Sequence, residues 1–166
     1  LSPDGRYLVC ANAASDNLSV IDTRTDAVVE TVWAKAGPAD LFGASPNALT
    51  FSPDGQTLYV ANGTQNAVAV VDFSPARLGS RLRGLIPVGW FPGAILVDAR
   101  RGTLAVANIK GLAVEPRRDR ATGGIGFNSH QYHGSVSLVP LPEPHELERL
   151  TAKAYANFRH DRIAVA

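Results

Sequence analysis

The chain has 166 residues, 45% hydrophobic and 19% charged, with a formal net charge of +1. That suffices for one packed domain and excludes wholesale disorder. Nothing in the charge asks for nucleic acid or an anionic membrane as partner, and no apolar run approaches the roughly 20 residues that span a bilayer.

Taken from the start, the chain opens with "LSPDGRYLVCAN", Leu1 to Asn12. Ser-Pro-Asp-Gly suits a tight turn: Ser accepts at the first corner, Pro presets φ at the second, and Gly takes the position where φ is positive. A short strand follows, then the polar turn "AASDN", a second strand "LSVID", and a third, "AVVETVW". After "AGPAD" the phrase returns. "NALTF" leads into "FSPDGQTLYVAN", Phe51 to Asn62, then the turn "GTQN" and the strands "AVAVVD" and "RLRGLIPV". A third copy, "AILVD" running into "VDARRGTLAVAN", closes at Asn108 with its turn degenerate. The closing residues Asn12, Asn62 and Asn108 lie about 46 to 50 positions apart, within the range of propeller and solenoid repeats.

Each unit therefore holds about four short strands. They are apolar on both faces, as in Leu104-Ala105-Val106-Ala107, so both faces need covering. Four-stranded sheets stacked face to face around an axis meet that need, which is a β-propeller. A β-sandwich also has short, regularly spaced strands, but it would not repeat a twelve-residue phrase once per four. The expected fold is all-β: a partial propeller of about three four-stranded antiparallel blades over residues 1–140, the first and last incomplete, with one C-terminal helix in 141–166. Blade one lacks its innermost strand, blade two runs from about Asn47 to Val88, and blade three has strands near Ala94, Leu104 and Val136. Under three blades leaves an open arc, since closed rings use four to eight. The chain also starts inside a repeat and has no Met, so the expectation is a segment of a larger protein, the alternative being a small domain that pairs with another copy. "EPHELERLTAKAYANF" starts after two prolines and sets Leu147, Leu150, Ala154, Tyr155 and Phe158 at helical spacing, predicting an amphipathic helix from Glu143 to about Phe158.

The repeat, turn then "LYVAN" then "AVAVVD", resembles the YVTN-type or YncE-like β-propeller repeat from Leu1 to about Pro140. Gly89-Trp90-Phe91-Pro92, Lys110-Gly111-Leu112, Gly134-Ser135-Val136-Ser137 and the Pro-rich exit into a helix resemble a narrower group, in which such a propeller precedes an alkaline-phosphatase-like phosphoesterase domain. The resemblance implies a bacterial, periplasmic or extracellular, non-catalytic binding or scaffold module, with the remaining blades and the downstream domain as partners. It supplies no catalytic residue here. The insertion from Ala113 to His133 and the "DARRG" turn depart from the pattern.

Among chemical candidates, His130 and His133 are three apart and are candidate metal ligands, but Gly126, Asn128, Ser129 and Gly134 argue for loop, and Asp119 is separated from them by Gly-Gly. No metal or cofactor is expected. "TGGIGF" follows no strand-to-helix transition, so a phosphate cradle has no support. Arg117, Arg118 and Arg120 read as a solvated loop face or an acidic-partner contact. Ser19 and Ser137 lie in strands without a His/Asp pattern. Trp90 and Phe91 lie where one blade hands over to the next, as a packed corner or a rim contact. Cys10 occupies the place of Val60 and Val106 and reads as a small buried hydrophobe. Asn12, Asn62 and Asn108 read as turn-makers bonding their own backbone. The alternatives are a lactonase-type enzyme with a channel metal held by inward carboxylates and Asn, for which the inner strands offer Asn47 and Asp98 but no acidic ring, and a stand-alone interaction propeller.

Overall fold

The computed structural model describes residues 1–35, 43–77, 79–113, 123 and 132–158. Strands β1 (Tyr7–Asn12), β2 (Asn17–Asp22) and β3 (Ala27–Trp33) form one antiparallel sheet in that order. Strands β4 (Pro46–Phe51), β5 (Thr57–Asn62), β6 (Ala67–Asp72) and β7 (Arg81–Pro87) form a complete four-stranded meander. Strands β8 (Pro92–Asp98), β9 (Thr103–Ala113) and β10 (Tyr132–Pro140) form the third sheet, again in chain order. Helix α1 (Pro144–Asn157) follows.

The repeated turns work as their residues dictate. The Ser2 carbonyl accepts the Gly5 amide at 2.9 Å with Gly5 at φ +71°, and Ser52 and Gly55 do the same at 2.9 Å and +72°. Each serine hydroxyl also accepts the amide that opens the next strand, Tyr7 or Thr57, at 2.9 Å. In the degenerate copy, the Asp98 carboxylate takes over, accepting the amides of Arg100 and Arg101 at 3.1 and 3.2 Å.

Successive side chains of a strand point to opposite faces, so each sheet has two. Leu58, Val60, Ala67, Ala69, Val71 and Leu85 pack on Tyr7, Val9, Leu18, Val20 and Val32 of the first sheet. On the other face, Tyr59, Val68, Val70 and Ile86 pack on Leu104 and Val106 of the third. The stacking thus has one polarity: the Leu58/Val60 face of a sheet meets the sheet before it, and the Tyr59 face meets the sheet after it. The middle sheet is covered on both faces, which is why β5 and β6 are buried along nearly their whole length. The fold is an incomplete β-propeller of three stacked sheets with one C-terminal helix.

The two end faces differ. Leu8 and Cys10, at the places of Leu58 and Val60, face outward from the first sheet and are exposed. Cys10 is therefore not the buried hydrophobe its place in the repeat suggests, because no described residue covers that face. Leu96, Val136 and Leu138 of the third sheet are likewise exposed, on the face equivalent to that of Tyr59.

Helix α1 covers the outer edge of the middle blade. Pro144 occupies its first turn, where a missing N–H costs nothing. Leu147 and Ala154 are buried, one in each inter-sheet core. Thr151 Oγ1 accepts the Leu85 amide at 2.9 Å, partnering an edge strand that would otherwise offer its N–H groups to any passing chain. The close approach needs Gly84, where a Cβ would lie 2.4 Å from Thr151 Oγ1.

Candidate functional site

The ends of β1, β5 and β9 and the starts of β4 and β8 share one rim of the stack, because the sheets are antiparallel meanders laid in the same sense. The β7–β8 connection carries Gly89-Trp90-Phe91-Pro92 across this rim, and the structure separates the two aromatic residues. Phe91 is the packed corner. It sits at φ +57°, its amide donates to Asn66 Oδ1 at 2.9 Å, and its ring lies so close to Gly63 that a Cβ there would be 2.9 Å away. Asn47 Nδ2 donates to the Pro92 carbonyl at 3.1 Å, tying the inner strands of neighbouring blades. Trp90 instead turns outward and is 45% exposed, with Lys110 Nζ 5.4 Å from its ring centroid.

Beside Trp90 is a cleft of about 330 Å³ lined by Thr64, Gln65, Asn66, Val88, Trp90 and the helix-end residues Asn157 and Phe158. The polarity of two of its amides is fixed by the backbone. Asn62 Nδ2 donates to the Ala34 carbonyl at 2.7 Å, so the second bond of that NH₂ makes Gln65 present its oxygen at 2.9 Å. The Phe91 amide can only donate, so Asn66 also presents its oxygen inward. Both side chains keep their NH₂ groups as the donors for anything in the cleft. The sequence offered "GTQN" only as a polar turn. The register of Asn62 against the preceding blade, which decides the amide polarity, has no local signal.

Asn12, Asn62 and Asn108 are cross-linkers rather than turn-makers. Asn12 Nδ2 donates to Asn17 Oδ1 and Ser19 Oγ, Asn62 Nδ2 reaches the preceding blade at Ala34, and Asn108 Nδ2 donates to Ser135 and Ser137 Oγ at 3.2 and 2.9 Å. The Asn12 and Asn108 side chains lie across their strand pairs, whereas that of Asn62 bonds Gln65 in its own turn and Ala34 in the preceding blade. The left-handed turn positions belong to Asp16, Asp26 and Asn66. Ser19 and Ser137 are thereby acceptors in this network. Gly89 makes room for it, since a Cβ there would lie 2.5 Å from Asn108 Nδ2.

The opposite rim holds a cleft of about 520 Å³ between the two Ser-Pro-Asp-Gly turns, lined by Asp4, Arg6, Tyr7, Asp54, Phe73 and Arg77 among others. The Ser2 and Ser52 hydroxyls hold the carboxyls of Asp4 and Asp54 below their ordinary range, helped by the amides of Arg6 and Gln56. Asp22 is lowered in the same way by the amide and guanidinium of Arg24.

The channel-side residues do not converge. Asn47 is at the start of an inner strand and Asp98 at the end of the next, so they sit at opposite rims, roughly 20 Å apart along strands of six and seven residues. His133 is exposed in β10, opposite Leu112. His130, Asp119, Arg117, Arg118, Arg120 and all of "TGGIGF" but Gly123 lie outside the described residues. Among the described residues no three His, Cys, Asp or Glu side chains gather as a metal site, and no helix is long and apolar enough to cross a membrane.

Fold and rim together define the class, an all-β propeller segment with an aromatic-and-amide cleft at one rim. Solved structures similar to it include hydrazine synthase from Kuenenia stuttgartiensis, with 30% identity and TM-score 0.55 over 65% of this chain and 27% of that one. A protein from Lactobacillus plantarum shares 28% identity at TM-score 0.56, covering 84% of this chain and 41% of that one. The periplasmic gluconolactonase of Pseudomonas aeruginosa shares 21% at TM-score 0.53, covering 86% and 42%. The chain thus spans less than half the length of each. No protein-family model matches it, and no curated protein does.

Proposed function

We propose that this chain is a non-catalytic binding and scaffold segment of a YncE-like β-propeller, completed by further blades of the same repeat. The larger protein would be bacterial and extracytoplasmic, with a phosphoesterase domain downstream. The observation that carries the binding reading is the rim: Trp90 is held outward beside a cleft whose amides are fixed in place, while the channel-side candidates Asn47 and Asp98 lie at opposite ends. The location draws support from the periplasmic protein among the similar structures. The test is hydrolysis of phosphoesters by the larger protein with and without this segment. Activity that depends on the downstream domain fits, and hydrolysis by residues 1–166 alone refutes the reading.

A second reading, a lactone hydrolase with a channel metal, is favoured by the likeness to the gluconolactonase. Stoichiometric divalent metal in the intact propeller, together with gluconolactone turnover, would establish it. Their joint absence would leave the binding reading.

A further inference from the structure

We propose that the Trp90 cleft binds the ring of a sugar, which deepens the binding reading above and rests on it. Three features of the cleft select this chemistry. Its volume of about 330 Å³ lies at the small end of ligand sites and suits one or two rings. Its indole is 45% exposed beside Lys110 Nζ, which lies 5.4 Å from the ring centroid, and the exposed part of this electron-rich ring favours the polarised C–H groups on the flat side of a pyranose. Two of its amides are oriented: the oxygens of Gln65 and Asn66 each accept a bond, from Asn62 and Phe91, so their NH₂ groups are the donors they bring to a ligand. The ligand must therefore be apolar on a face and rich in acceptor oxygens around its edge. A purely apolar ligand would shield these donors from water without replacing their hydrogen bonds, which counts against it.

The cleft is also preorganised. Val88 N–H donates to the Asn66 carbonyl at 2.9 Å and Lys110 N–H to that of Trp90 at 3.1 Å, so both sides of the cleft are tied into the sheets. Helix α1 closes the third side with Asn157 and Phe158. Little ordering is left to be done on binding.

The experiment is titration of the chain with methyl glucoside and with glucuronate, followed by tryptophan fluorescence and by amide chemical shifts. A saturable change in the millimolar range, centred on Gln65, Asn66 and Trp90, is the expected result. Trp90→Ala should weaken it by about tenfold or more, the loss of one stacked aromatic face. Asn157→Ala, at an exposed helix end, tests the cleft without touching the sheets and should weaken binding less. Equal fluorescence and shift responses in wild type and Trp90→Ala would overturn the site while leaving the chain a binding segment. No response to either sugar would overturn the ligand class, and the lactone and metal measurements then decide the broader reading separately.

Discussion

Cys10 and Val60 hold the same place in two copies of one phrase, yet Val60 is sealed between two sheets and Cys10 stands exposed. The difference lies in what stacks on each strand, because the two residues share strand position, register and facing direction. Burial in this molecule is set by the one-way stacking of sheets, and the energetics follow from it.

The pair Leu58 and Leu8 measures that stacking. Leu58 is fully buried and Leu8 is 45% exposed at the equivalent place. Leu58→Ala should cost about 2–5 kcal/mol, by lost transfer energy and the cavity left behind. Leu8→Ala should stay within about 0.5 kcal/mol, as surface changes do. Urea unfolding of both variants checks this, and equal losses would show that the end face is covered.

Helix docking has a single tight contact to test. Gly84→Ala sets a Cβ against Thr151 Oγ1 and within 2.9 Å of Leu147 Cγ, so the helix must lift from β7. The expected loss is about 1–3 kcal/mol. Thr151→Val removes the acceptor of the Leu85 amide and should cost about 1 kcal/mol. If the helix were merely adjacent, hydrogen exchange at Leu85 would be the same in all three proteins.

Two pH limbs follow from named groups. Asp4 and Asp54 have folded values lowered below 3.8, so their contribution is complete above that value and is lost as pH falls through the lowered ones. Ser52→Ala removes the largest cause and should return Asp54 toward its ordinary titration, read by carboxyl NMR. Tyr59 is shifted the other way: burial raises it above 10.0, so its contribution is complete below that value and is lost as pH climbs through the raised one. Tyr59→Phe should remove that alkaline limb.

The fold was legible because turn chemistry and strand pattern are local. The Ser-Pro-Asp-Gly turns, the meander order and the helix from Pro144 all follow from neighbours in sequence. The cleft was not, because its parts come from a hairpin, a blade connection and the end of α1, and its amide polarity depends on Ala34, 28 residues before Asn62. Cys10 departs from its repeat place for a related reason. A repeat position predicts which way a side chain points, whereas burial also requires the next sheet. Trp90 and Phe91 were both visible as a rim pair, and only the positive φ of Phe91 tells which one packs.

The stacking account is tested most directly by the rate at which the Cys10 thiol reacts with a water-soluble maleimide. The rate should be that of an open thiol in the 166-residue chain and, if further blades complete the ring as proposed, should fall by orders of magnitude in the longer protein. A thiol already protected in this chain, or equally reactive in both, would contradict the account.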